Sequence, residues 1–237
     1  MTNKPKISII TINWWAKDYA DLLISKIFKN TKNIDNIEVI IVDNSGELTE
    51  YEGNITILKP EKNLGHGKGI NTALLACKGE YVMILDIDTH MLMKDWDEKI
   101  LNEFKDEKIK LACAMDGGLL KPARPLCMFF KWSDAVSNSI YFHARNCDSV
   151  KFDVGVHAYF RFLTEFGDKC ILSLNSKKTE YDDVLGNEYT LNGERFIYHN
   201  WYGTRWFNIY GKVSHTKIDN IEYSDYLVKR KNLFNQV

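Results

Sequence analysis

Apolar residues gather into short, nearly unbroken runs separated by stretches of helical spacing, and this alternation organises the first half of the chain. The run Ile7-Ser8-Ile9-Ile10-Thr11-Ile12 is β-branched almost throughout, which is how a strand covered on both faces of a parallel sheet reads. Tyr19, Leu22, Leu23 and Ile27 then recur at helical intervals, and Val39-Ile40-Ile41-Val42 predicts a second buried strand, so the opening segment is a βαβ unit. Ile55-Thr56-Ile57-Leu58 predicts a third strand, closed by Pro60. A glycine-rich turn leads into a helix carrying Ile70, Ala73, Leu74 and Cys77, and Tyr81-Val82-Met83-Ile84-Leu85 is the fourth strand.

Strand and helix alternate as far as Leu111-Ala112-Cys113-Ala114-Met115. The expected fold class is therefore α/β, a Rossmann-like open, mostly parallel sheet with helices on both faces. Beyond Asp116-Gly117-Gly118 the periodicity weakens, Pro122 and Pro125 break the chain, and aromatic residues become dense. The chain thus divides into a ligand-binding half at 1–115 and a less regular half at 116–237. In the second half a helix is expected through Tyr159, Phe160 and Leu163, stopped by Gly167, and a last one through Tyr223, Tyr226, Leu227 and Phe234. The segment Met128-Phe129-Phe130-Lys131-Trp132 reads as core in preference to a binding wall.

Composition narrows the partners. At 237 residues, 45% hydrophobic and 27% charged, the chain is long enough for one large globular domain, and a net charge of -1 gives no basic face for nucleic acid. Five scattered cysteines, with no Cys-x-x-Cys pair, fit a reducing, cytoplasmic setting. The first residues lack the apolar core of a signal peptide, and no apolar run approaches the roughly 20 residues of a membrane helix. Lys229-Arg230-Lys231, beside Tyr226, Leu227, Leu233 and Phe234, reads as a solvated helix face, with peripheral contact to an anionic membrane as the alternative.

Polar residues fall where the predicted strands end. Thr11 and Asn13 close the first strand, Asp43-Asn44-Ser45 the second and Asp86-Ile87-Asp88 the fourth, so three strands aim polar groups at one sheet edge, the usual ligand position in such folds. Turn and cap formation is the competing explanation, strongest for Asp43-Asn44-Ser45-Gly46. Asp86 and Asp88 are sharper, because two carboxylates leaving a buried strand one residue apart can converge on a hard cation, magnesium or manganese, and leave room for phosphate oxygens. Lys62-Asn63-Leu64-Gly65-His66-Gly67-Lys68-Gly69 adds a glycine-rich turn at a helix start, where backbone amides and Lys68 favour phosphate. It is neither a Walker loop nor a dinucleotide fingerprint, which weakens kinase and dehydrogenase readings.

The succession 7–13, Ile40-Ile41-Val42-Asp43-Asn44-Ser45, Asn63-Leu64-Gly65 with Asn71, and Gly79 through Asp86-Ile87-Asp88 resembles family 2 glycosyltransferases of the GT-A fold over roughly residues 6 to 100. That resemblance implies inverting, metal-assisted transfer from a UDP-, dTDP- or GDP-sugar to a glycan or lipid-linked acceptor. It places Thr11 and Asn13 by the nucleotide, Asp43 on the base with Asn44 beside it, and Gly65 to Lys68 facing nucleotide or phosphate. Asp86 approaches ribose or metal, and Asp88 binds the metal, Mn2+ or Mg2+. His199, emerging from the strand-like run Phe196-Ile197-Tyr198, resembles the late histidine that completes a GT-A metal shell, in a stretch, 196–206, suited to a flexible lid. Arg205 is expected to neutralise diphosphate, and Trp201 and Trp206 to stack on sugar faces.

Inverting transfer requires a carboxylate base in the second half. No Glu-Asp dipeptide of the form usual in the family occurs there, so Asp153 is the first choice, with Asp134 and Glu165 as alternatives and helix capping or solvation as the competing role of each. His66, His90, His143, His157 and His215 have no comparable context. Two other functions compete. A nucleotidyltransferase would need a glycine-rich, basic loop after the first strand, where Asn13-Trp14-Trp15-Ala16-Lys17 stands instead, and a non-catalytic nucleotide-sugar binder would have little use for both Asp86 and Asp88.

Overall fold

The computed structural model describes residues 5–115, 126–143, 145–147, 150–177, 186–200, 217–218 and 221–222. In chain order the first part comprises β1 (Ile7–Asn13), α1 (Lys17–Asn30), β2 (Ile37–Asp43), β3 (Ile55–Leu58), α2 (His66–Leu74), β4 (Tyr81–Leu85), β5 (Thr89–Met91), α3 (Trp96–Glu103) and β6 (Leu111–Met115). There follow β7 (Cys127–Lys131), α4 (Trp132–Ser137), β8 (Arg145–Cys147), β9 (Val150–Phe152), α5 (Val154–Phe166), β10 (Ile171–Lys177), β11 (Gly186–Leu191), β12 (Glu194–Asn200), β13 (Lys217–Ile218) and β14 (Ile221–Glu222).

Ten strands form one sheet in the order β3-β2-β1-β4-β7-β6-β10-β11-β12-β5. The four predicted strands β3, β2, β1 and β4 lie side by side and parallel. Beyond them the sheet is mixed. β7 inserts antiparallel between β4 and β6, β10 runs parallel to β6, and β11, β12 and β5 continue antiparallel.

Alternation along each strand splits the core in two, as a period of two requires. Ile7, Ile9, Val39, Ile41, Met83 and Leu85 pack with Tyr19, Leu23 and Ile27 of α1 and with Trp96 and Ile100 of α3. On the other face Ile10, Ile40, Val42, Val82 and Ile84 meet Ile70 and Ala73 of α2 and Ala158, Tyr159 and Phe162 of α5. Both faces are covered, which explains why these strands read as unbroken apolar runs. Met128, Phe129 and Phe130 are each 0% exposed, so the aromatic segment in β7 is core. Gly167, at φ 79°, ends α5 in a left-handed conformation that suits glycine.

β5 is only three residues long, yet it positions the site. It closes one edge of the sheet against β12, with His199 opposite Thr89, and Asn30 at the end of α1 ties in by donating from Nδ2 to the Met91 carbonyl at 2.8 Å.

Candidate active site

Three strand ends meet at one edge of the parallel half, and their carboxylates stand in very different surroundings. At the ends of β1 and β2, Asn13 pairs with Asp43 in register. The Asp43 Oδ1 atom accepts from Asn13 Nδ2 at 3.0 Å, from the Ser45 amide at 3.1 Å and from Ser45 Oγ at 2.7 Å, while Oδ2 accepts from the Leu48 amide at 2.8 Å. Burial alone would raise the affinity of Asp43 for a proton, but the hydrogen bonds from Ser45, Asn13 and Leu48 outweigh it and hold the carboxyl below its ordinary range. Asn13 Nδ2 also reaches Ser45 Oγ at 3.1 Å and Glu47 Oε1 at 2.9 Å, so one amide and one carboxylate knit the loop after β2. Thr11 is buried one step behind, at 1% exposure.

Asn44 carries the same edge toward α2. Its Oδ1 accepts from the Leu64 amide at 3.0 Å, and the Gly65 amide donates to Asn63 Oδ1 at 2.7 Å. Gly65, at φ 71°, then turns the chain into α2, a conformation that other residues adopt only with strain. Lys68 is exposed in the first turn of that helix, and His66 opens it.

The β4 end is built otherwise. The chain leaves Leu85 in a tight turn, the Thr89 amide donating to the Asp86 carbonyl at 3.0 Å, while the Asp86 amide donates to the Leu126 carbonyl at 3.0 Å. Ile87, 4% exposed, drops into the core between the two aspartates. His199 arrives from β12: its Nε2 lies 3.3 Å from Asp88 Oδ1 and 3.8 Å from Asp86 Oδ2. From the other side His66 Nε2 approaches Asp86 Oδ1 at 3.4 Å. One ligand atom from each of Asp86, Asp88 and His199 falls within 4.8 Å of the others. Among the described residues no lysine or arginine pairs with either aspartate. Burial chiefly, and then Asp88 and Asp153, push the Asp86 carboxyl above the usual carboxylate range, while His66 and His199 pull the other way.

Two carboxylates and an imidazole, close together and mostly enclosed, form a donor set that fits a divalent transition-series ion, since imidazole suits manganese better than magnesium. His199 stands near the end of the strand that the apolar run predicts and is 8% exposed, because pairing of β12 with β11 and β5 fixes its backbone on both sides; the rest of the run expected as a lid, at 201–206, lies outside the described residues.

The three candidate bases separate by environment. Asp134 lies 3.6 Å from Lys110, and Glu165 pairs with Arg161 at 2.7 Å one turn away on α5. Asp153 is exposed at the start of α5, where its side chain accepts from the Val154 amide at 2.7 Å, and its charge is felt at Asp86. Trp201, Arg205, Trp206 and the basic segment at 229–231 lie outside the described residues. Two histidines without a sequence context of their own belong here. His66 follows Gly65 directly, in a turn expected to face phosphate, and that neighbourhood is the signal it carries. His90 sits beneath the corner on β5, where burial pushes its imidazole down to about 3, and no pattern in the chain marks it.

The model of glycosyl transferase family 2 matches residues 8–116. No curated protein sequence matches the chain. Among solved structures, residues 1–349 of TarS from S. aureus share 17% identity at a TM-score of 0.56, covering 96% of this chain and 72% of that one. Glucosyl-3-phosphoglycerate synthase from Mycobacterium tuberculosis, crystallised with Mn2+, UDP and glucosyl-3-phosphoglycerate, shares 14% identity at a TM-score of 0.52, covering 83% of this chain and 87% of that one. These likenesses show a GT-A fold.

Proposed function

We propose that this chain, a glycosyltransferase of family 2 by its residues 8–116, moves a sugar with inversion from a UDP-, dTDP- or GDP-sugar to a hydroxyl of a glycan, glycolipid or surface polysaccharide. The observation that carries the reading is the corner made by Asp86, Asp88 and His199, whose ligand atoms converge within 4.8 Å at the edge where the parallel strands end. These three residues would hold the ion, Mn2+ in preference to Mg2+. A divalent ion held there would supply positive charge to the departing diphosphate. Structures of the same fold carry UDP-GlcNAc in TarS and Mn2+ with UDP in the mycobacterial synthase, which supports a nucleotide-sugar donor.

The protein's own groups supply the rest. Asp43 bonds the base, Asn13 helps to shape the loop against which the base lies, and Thr11 stands behind them. Asn44 and Gly65 present the start of α2, where backbone amides, His66 and Lys68 face the phosphates and stabilise charge that grows as the glycosidic bond breaks. Asp153 takes the proton of the acceptor hydroxyl as it attacks the anomeric carbon from the opposite face. Asp134 and Glu165, already paired with cations, suit that role less well. The half at 116–237 brings the acceptor, with Arg205 on the diphosphate and Trp201 and Trp206 against sugar rings. No helix among the described residues is long and apolar enough to cross a membrane. A cytoplasmic protein with at most peripheral membrane contact fits this reading.

The test is a melting panel of nucleotide sugars with and without Mn2+, followed by NMR of the product. One donor is expected to raise the melting temperature only when Mn2+ is present, by mass action, and its product to have the opposite anomeric configuration. A panel in which no nucleotide sugar shifts melting would defeat the proposal, and a retained configuration would defeat its stereochemistry.

A further inference from the structure

Two buried residues brace the metal corner from beneath. β12 pairs Tyr198 with His90 and His199 with Thr89, and the ladder runs one rung further, the Asn200 amide donating to the Asp88 carbonyl at 2.9 Å. The Asn200 side chain returns to the same oxygen, Nδ2 donating at 3.0 Å, and also lies 2.5 Å from His90 Nε2. Asn200 is 0% exposed and His90 1%, so neither bond competes with water.

The chemistry fixes which atom does what. A carbonyl only accepts, so Asn200 must turn its nitrogen toward Asp88; turning its oxygen there would set two acceptors against each other. The second amide hydrogen then points at His90, whose Nε2 must accept, leaving the ring proton on Nδ1. The His90 ring is also held between Tyr19 and Tyr198, with centroids 6.3 and 5.9 Å away and planes within 15° of each.

We propose that Asn200 and His90 are positioning residues for the metal corner. Asn200 grips the Asp88 carbonyl with its backbone and side-chain N–H groups, and His90 orients the Asn200 side chain. The separation of His199 from Asp88, 3.3 Å, is thereby set before any ligand arrives. His199 precedes Asn200 directly and Asp88 supplies the gripped carbonyl, so one strut governs two of the three candidate ligands. This inference rests on the reading of Asp86, Asp88 and His199 as ion ligands and names what holds them. Supporting residues of this kind matter because a loosened ligand pair must be reordered at the moment of binding.

The experiment measures Mn2+ binding to the full chain by the electron paramagnetic resonance signal of unbound Mn2+, for wild type, His90→Phe, His90→Gln and Asn200→Asp. Melting temperature without metal and the imidazole 15N shifts of His90 are recorded alongside. His90→Phe keeps a ring between the tyrosines but offers no acceptor, and is expected to weaken Mn2+ binding about 10- to 100-fold. His90→Gln, whose Oε1 accepts from Asn200, is expected to recover most of that loss. In wild type the Nε2 shift should be that of an unprotonated nitrogen.

His90→Phe binding Mn2+ as wild type does, or a proton found on Nε2, overturns the proposal. If His90→Phe does not fold, Asn200→Asp decides, because it sets a carboxylate against the Asp88 carbonyl; undiminished binding there overturns the proposal equally. A wild type that binds no Mn2+ sinks the metal reading and this inference with it, whereas variants that match a binding wild type sink this inference alone.

Discussion

The ends of β2 and β4 lie two strands apart on one sheet edge, and each presents an aspartate, yet the two carboxylates are held in opposite ways. Asp43 at the β2 end accepts four hydrogen bonds from Asn13, Ser45 and Leu48, and its proton affinity is lowered. Among the described residues, Asp86 at the β4 end has Asp88 for a neighbour and only histidines opposite, and its proton affinity is raised. One arrangement uses the charge inside the protein to shape a loop. The other keeps negative charge in excess, which an arriving cation can satisfy. Residue type is the same in both, so it does not distinguish a carboxylate already held by the protein's own donors from one left to an arriving cation; the count of donors aimed at it does.

The sharpest break of this comparison is removal of charge from the β4 end. Asp88→Ala is expected to abolish Mn2+-dependent stabilisation by the preferred donor and to lower kcat/KM on the order of 10³-fold, the several kcal/mol a bound ion supplies. Its melting temperature without metal should stay near wild type. Donor-dependent stabilisation that survives in Asp88→Ala would place the ion elsewhere. Asp153→Asn tests the third acidic group at this edge. Asparagine caps helices about as well as aspartate, so α5 should persist while kcat falls roughly 10²- to 10⁴-fold. Unchanged turnover would return the base assignment to Asp134 or Glu165.

How much of this is legible in the chain follows from the same physics. Strands β1 to β4 are buried on both faces, so their apolar runs and polar ends can be read directly, and with them Asp86 and Asp88. β7 can be read as core from Met128-Phe129-Phe130, but its place between β4 and β6 depends on long-range pairing with β4, which no local pattern encodes. β5 is too short to show periodicity, and for that reason His90 carries no signal. His199 is found by type and by the strand-like run before it, while its partners on β11 and β5 are set by cross-strand pairing that the run does not encode. Asp43 is legible as a site-edge residue, while the hydrogen bonds it accepts from Ser45 and Leu48 depend on the path of a loop.

The reverse experiment acts on the β2 end. Asp43→Ala leaves the Ser45 amide and hydroxyl and the Leu48 amide without their acceptor, while the Asn13 amide keeps Ser45 Oγ and Glu47 Oε1. That loss should destabilise the fold by about 3 kcal/mol or more. Mn2+ affinity in the absence of donor should be unaffected. The sign with pH follows from a folded pKa below the unfolded one. The contribution of Asp43 is complete above the ordinary carboxylate value of about 4 and is lost as pH falls through the folded value, so wild type should lose stability more steeply in acid than Asp43→Ala. Chemical denaturation at two pH values reads both statements, and weakened Mn2+ binding in Asp43→Ala would erase the distinction between the two strand ends.

The smallest expected effect separates them most finely. Asp86 has a folded pKa above its unfolded value, so in the metal-free protein its ionisation opposes folding. Stability should fall as pH rises from about 4 through the folded pKa, the reverse of the Asp43 contribution. Asp86→Asn removes the charge while keeping the shape, and without metal at neutral pH it should melt slightly above wild type. Adding Mn2+ should reverse that order, because wild type gains binding free energy that the variant has lost. Below about pH 4 the two proteins should converge, since Asp86 is then protonated in both states. A variant that melts below wild type at neutral pH without metal would mean that His66 and His199 already satisfy the Asp86 charge, and the β4 end would then resemble the β2 end rather than oppose it.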